Sequence, residues 1–228
     1  MSIGKKIRKR TTPIIIITIG IFSGTATATE IGSFINNRNC DQIIDKGSLK
    51  ICYDYNLKAA RYVSYTLKGD LVNAVNIKKR PRFYEEKRIP KKYRATHSDY
   101  THSGYDRGHI KSDADCDSSS KSLKKCYSLA NIIPQAPAVN RRTWIKAEKY
   151  ERLIATKLGS VTVINGVTYP SQPKRIGRNG IAVSSGFWKI IYNDQQDFKR
   201  CFYYKNDLDA KSKGDKLRNH LVDCLSLN

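Results

Sequence analysis

The chain is short of acid. Its 228 residues carry 20 Asp and Glu against 42 Lys and Arg, a formal charge of +22. It is short of histidine too, with only His97, His102, His109 and His220. No Cys-x-x-Cys pair occurs and no cysteine stands near a zinc-like histidine spacing, which removes the usual zinc and dithiol arrangements. Internal repeats, low-complexity tracts and obvious linkers are missing, so a single domain is the expectation. No apolar run reaches the ~20 residues that a membrane-spanning helix needs. An amphipathic basic helix of the kind that binds lipid is also lacking beyond the first 28 residues, and no stable membrane partner is expected.

The N-terminus reads differently from the rest. Lys5, Lys6, Arg8, Lys9 and Arg10 precede an apolar run from Ile14 to Phe22, and small residues end at Ala26-Thr27-Ala28. That order matches a secretory signal (residues 1–28) cleaved near Ala28, leaving residues 29–228 as the mature chain, secreted or periplasmic. The first 28 residues hold five bases and no acid, so the remainder keeps +17 of the formal charge. So basic an exported protein is suited to a polyanion: nucleic acid, anionic lipid or acidic polysaccharide. Six cysteines follow the signal, and an even count in an exported chain suggests three disulfides. Sequence order favours local pairs: Cys40–Cys52, Cys116–Cys126 and Cys201–Cys224.

Hydrophobic periodicity predicts an α+β chain. Val63, Tyr65 and Leu67 alternate along a strand over Tyr62–Leu67, with Leu71–Ile77 as its expected hairpin partner. Trp144, Ala147, Ile154 and Leu158 recur at helical spacing over Asn140–Leu158, and Gly159 supplies the stop. Val161–Ile164, Asn165-Gly166 and Val167–Tyr169 read as a second hairpin. Further strands are expected over Ile181–Val183, Phe187–Tyr192 and Phe198–Tyr204. Leu217, Leu221, Cys224 and Leu225 outline one face of a C-terminal helix. From Lys78 to Arg94, bases interleave with Phe83, Tyr84 and Tyr93, a mixture suited to tracking a phosphate backbone while bases stack.

Two segments concentrate reactive groups. Asp106-Arg107-Gly108-His109 sets an imidazole that titrates near neutrality beside a guanidinium fork and a glycine that lets a backbone approach closely. Asn140 stands at the head of the predicted helix, as an N-cap or as an oxygen ligand for Mg²⁺. Glu148 lies two turns on, about 80° around the helix. There it reaches a metal's water shell or pairs with Arg152 on the surface. Asp113, Asp115 and Asp117 imitate the start of a calcium loop. However, Ser118 stands where that loop needs glycine and Lys124 where it needs glutamate. A zinc site from His97, His102 and His109 lacks a helical pair and an acidic or cysteine ligand at a suitable spacing.

The sequence resembles the DNA/RNA non-specific endonucleases, the Serratia-nuclease and endonuclease G group of the ββα-metal superfamily. Ser-Gly-Tyr-Asp-Arg-Gly-His at 103–109, Ala114-Asp115, and Asn-x-x-Pro-Gln at 131–135 followed by Asn140, Trp144 and Glu148 carry the likeness, which covers roughly residues 62–204. The resemblance implies a ββα-metal nuclease fold with a central antiparallel sheet flanked by helices. It implies His109 as general base and Asn140 as sole direct protein ligand of one hydrated Mg²⁺, with Mn²⁺ as the alternative. Glu148 and Asn131 would order the metal's waters and the site, and Arg107 would be a site arginine. An upstream arginine would contact the scissile phosphate: Arg80, three residues before Phe83, is the choice, with Arg82 as the alternative. The expected activity is hydrolysis of DNA and RNA to 5′-phosphate products with little sequence preference. The competing expectation is a non-catalytic, secreted DNA-binding protein for adhesion or uptake. The three disulfides and the Ser- and Lys-rich stretch 117–125 depart from the family pattern.

Overall fold

A strand with two covered faces has no polar side to alternate, and that property marks the centre of this molecule. The computed structural model describes residues 40–227. The export segment expected over 1–28 lies outside them. β1 (Gln42–Asp45), β2 (Lys50–Asp54) and β3 (Ala59–Lys68) open the chain. β4 (Asp106–His109) and β5 (Ile132–Gln135) form a separate antiparallel ribbon. They are followed by β6 (Ser160–Thr168), β7 (Arg175–Ile176), β8 (Ile181–Ala182), β9 (Gly186–Asn193) and β10 (Phe198–Lys205). Six of these make one antiparallel sheet in the order β1-β2-β3-β6-β9-β10, and every residue of β9 is buried. Among the described residues two α-helices accompany them, α1 (Ser120–Cys126) and α2 (Trp144–Leu158). The α+β expectation and the central antiparallel sheet are both observed, as are all three local disulfides.

α2 lies on the sheet through Trp144, Ala147, Glu151, Ile154 and Ala155. The Trp144 ring meets Phe187 and Tyr204 edge-on, with centroids 4.8 and 5.2 Å away. Beneath the same face Glu151 and Lys189 form a wholly buried ion pair. Tyr65 Oη donates to Glu151, and Asn165 Nδ2 donates to Tyr65 Oη. An ion pair out of water is tolerated only when such neighbours satisfy its remaining polar atoms.

Three expected elements differ. Asn165-Gly166 makes no turn, because β6 runs unbroken between β3 and β9, with Gly166 opposite Tyr62 on one side and Trp188 on the other. Glycine is there for space: a Cβ would come within 2.0 Å of the Trp188 ring. Leu71–Ile77 is not a hairpin partner, since both edges of β3 are already taken by β2 and β6. Instead a 3₁₀ turn at Gly69–Leu71 carries the chain away from the sheet, leaving Leu71 and Val75 nearly half exposed. The C-terminal helix is replaced by two 3₁₀ turns, Leu217–His220 and Cys224–Leu227. A bridge from Leu221 to Phe202 and the Cys201–Cys224 disulfide hold this segment along β10, and Leu221 and Leu225 face solvent.

Candidate active site

The site is built on β4, β5 and the head of α2. β4 and β5 pair with Asp106 opposite Gln135 and His109 opposite Ile132. Gly108 is required because the Gln135 side chain lies over it, 2.1 Å from where a Cβ would sit. After β5 the chain enters a π-helical turn, Val139–Thr143, that runs on into α2. Such widened turns recur at functional positions because they re-aim a side chain from a helix. Asn140 sits inside this one, so it is not the N-cap of a regular helix. Its Nδ2 donates to Asp106 Oδ2 at 2.9 Å, which leaves the amide oxygen as the open acceptor. Arg141 closes on both Asp106 oxygens at 2.7 and 2.6 Å. Burial alone would raise the Asp106 pKa, but the Arg141 and Asn140 hydrogen bonds outweigh it and hold the carboxyl below its ordinary value. Asp106 therefore clasps strand to helix. Sequence reasoning gave it no role, although it opens the tetrapeptide that ends in His109.

His109 is half-buried, and its Nε2 is shielded from solvent with no hydrogen-bond partner. Phe83 and Tyr127 pack against the ring at 5.4 and 4.8 Å. Burial pushes its pKa down to about 4, Asp113 and Asp115 oppose that shift, and Arg80 adds to it. The imidazole is thus neutral at physiological pH, as a proton acceptor must be. Arg80 donates to Asp113 at 3.2 Å and to Asp117 at 3.0 Å. Both upstream arginines are exposed, and Arg80 is the one whose charge reaches His109.

Glu148 does not make the surface pair with Arg152 that its spacing allowed. Arg152 turns to Asp115 at 2.8 Å and to Ser112 at 3.2 Å. Burial, followed by repulsion from Asp115, pushes Glu148 up to about 7. Asn131 is fully buried and bound to backbone: it accepts from Lys111 N–H and donates to the Lys111 and Cys126 carbonyls, each at 3.0 Å. It fixes the chain leaving β4, and its amide is committed there rather than to a water shell. Arg107 donates to the His97 carbonyl at 2.8 Å and lies over the Tyr100 ring, bracing the turn His97–Tyr100. Among the described residues no group of three His, Cys, Asp or Glu gathers as a metal cluster.

The sequence model of the DNA/RNA non-specific endonuclease family matches residues 28–228. The chain belongs to that family. Human mitochondrial endonuclease G is 28% identical over 160 residues, spanning 66% of this chain and 54% of that protein. Mitochondrial nuclease 1 of Schizosaccharomyces pombe is 30% identical over 164 residues, spanning 66% and 51%. A nuclease of Nostoc sp. is 27% identical over 147 residues, spanning 64% and 52%. This endonuclease-family chain spans about half the length of the curated relatives it matches. Its backbone superposes on the EndoG chain of a solved EndoG/EndoGI complex with a TM-score of 0.76 and 23% identity, covering 89% of both chains. The fold is that of the ββα-metal nucleases, with β4, β5 and α2 as its ββα unit.

Proposed function

We propose that this chain is a secreted, metal-dependent endonuclease that hydrolyses phosphodiester bonds of DNA and RNA with little regard for base sequence. The observation that carries the reading is the pairing of a neutral His109, its ring packed against Phe83 and Tyr127, with an Asn140 amide oxygen left open by Asp106 on the same strand as His109. A single neutral oxygen suits a hard cation that keeps most of its waters, which describes Mg²⁺, with Mn²⁺ next. Bound at Asn140, such an ion would supply positive charge to the phosphate and to the departing oxygen. The protein's own groups do the remainder. The neutral His109 imidazole takes a proton from water as the water oxygen bonds to phosphorus. The bond from phosphorus to the 3′ oxygen breaks, leaving a 5′-phosphate and a 3′ oxygen that gains a proton from solvent.

Glu148 would supply a carboxylate to orient the metal's water, and Asn131 and Arg107 keep the surrounding loops in place. Arg80 exchanges Asp113 and Asp117 for the scissile phosphate, a trade of one anion for another. A cavity of about 720 Å³ bordered by Phe83, Tyr84, Lys87, His97 and Lys124 flanks the site and offers aromatic faces to bases, while of the two carboxylates that also line it Glu86 is held by Lys46 and Arg88 and Glu85 lies 3.9 Å from Arg94. None of these groups reads a base edge, which is why little sequence preference is expected. Three disulfides agree with an oxidising compartment, in keeping with export. The test is digestion of plasmid and RNA by the purified protein, wild type beside His109→Ala, with Mg²⁺ or with chelator. Cleavage by wild type with metal only is the expected result. Tight binding without cleavage, across several divalent metals, would replace the enzyme by a DNA-binding protein.

A further inference from the structure

Ser118 and Ser122, in the Ser- and Lys-rich stretch 117–125, take no part in the chemistry above, yet they wall a cavity. That cavity, of about 470 Å³, lies between the β1–β2 turn, β3 and the loop that follows β4. Its size falls within the ~300–1,000 Å³ range of small-molecule sites. Six hydroxyl-bearing residues are among those that line it: Ser48, Ser64, Thr66, Ser118, Ser122 and Thr162. Lys111 enters from the loop, only 3% exposed, and uses one N–H on the Ser48 carbonyl at 2.9 Å. The Ser48 hydroxyl is shielded from solvent with no partner. Lys50 and Lys68 stand on the rim, and Lys125 reaches the same edge beside Gly47.

The charge balance of the cavity is positive. Lys68 and Lys125 have no ionic partner among the described residues, and Lys50 has only a solvent-exposed contact of 3.9 Å with Asp45. One carboxylate, Asp115, also lines the space, but Arg152 and Ser112 already hold both its oxygens. The Lys111 ammonium, with one hydrogen bond to the Ser48 carbonyl and the Tyr65 ring 4.5 Å away, keeps N–H donors for a further acceptor. We propose that this cavity is a second anion site, separate from the phosphodiester site, that binds a terminal phosphate group, as in a 5′-mononucleotide or inorganic phosphate. A monoester fits better than a diester because its second negative charge matches a cluster of ammonium groups. The inference does not depend on whether the chain cleaves nucleic acid.

The experiment is a calorimetric titration of the full protein with inorganic phosphate and with 5′-AMP, in chelator so that no metal recruits phosphate to Asn140. A short oligonucleotide without terminal phosphates supplies the diester comparison. Saturable one-to-one binding of both monoesters is expected, unchanged in His109→Ala and Asn140→Ala. Lys111→Met should weaken it at least about tenfold, as loss of a buried charged donor does. If Lys111→Met does not fold, the surface variant Lys68→Gln/Lys125→Gln decides, with a loss of several-fold expected. Three results overturn the proposal: no saturable binding, binding indifferent to the lysine variants, or loss of binding in His109→Ala. Equal affinity for the oligonucleotide with the same lysine dependence overturns the monoester assignment.

Discussion

Glu148→Gln is expected to stabilise the metal-free protein at alkaline pH while disabling it as a catalyst. Burial, with repulsion from Asp115, moves the Glu148 pKa from an ordinary 4.5 up to about 7. In the unfolded chain the carboxyl ionises near 4.5. Between those two values the unfolded state has given up a proton that the folded state still holds. The contribution of this group is therefore fully present below pH 4.5 and is lost as pH rises through 7. The full displacement is worth ~3 kcal/mol, and partial solvent contact reduces that to about 2. Glutamine has the shape of the protonated acid and no charge to bury. In urea denaturation with chelator, variant and wild type should agree at pH 4.5, and the variant should lead by about 2 kcal/mol at pH 8. The same difference corresponds to a rise in Tm of roughly 4–8 °C for a chain of this length. With Mg²⁺ present, cleavage by the variant should fall. An equal effect at both pH values would refute the reasoning, because packing rather than ionisation would then set the difference.

Other outcomes follow from single contacts. Asp106→Ala removes the group that turns the Asn140 oxygen outward, and metal affinity measured by calorimetry should fall roughly 10–100-fold with the fold intact by circular dichroism. Gly166→Ala places a Cβ inside the Trp188 ring, so denaturant midpoints should report a loss of about 3 kcal/mol or more. Replacing Cys201 and Cys224 together by alanine opens a ring with a sequence separation of 23 residues and should cost about 3 kcal/mol in the same assay.

Much of the molecule was legible where a residue's neighbours in sequence are also its neighbours in space. The α2 periodicity, the alternation in β3 and the local cysteine pairs are of that kind. Asn165-Gly166 misled because a strong turn dipeptide was overruled by strands on both sides and by the Trp188 ring above the glycine. β1 and β2 went unseen because each is four or five residues long, and β2 is buried on both faces after its first residue rather than alternating. At the site, motif spacing singled out His109, Asn140 and Glu148. The roles of Asp106 and Asp113 depend on which side chains meet across the fold, and spacing carries no information on that. For Asn131 the motif position suggested ordering of the metal's waters and of the site, and its hydrogen bonds are all with backbone.

The disulfide pattern has a consequence for how the molecule is made. Each bond joins cysteines separated by 10 to 23 residues, and no bond connects one ring to another. A chain synthesised from its N-terminus can thus close each ring before the next pair of cysteines has emerged. Of fifteen possible pairings for six cysteines, this is the one that simple order of appearance selects. Assembly of the oxidised protein requires no sorting of thiols across the sheet.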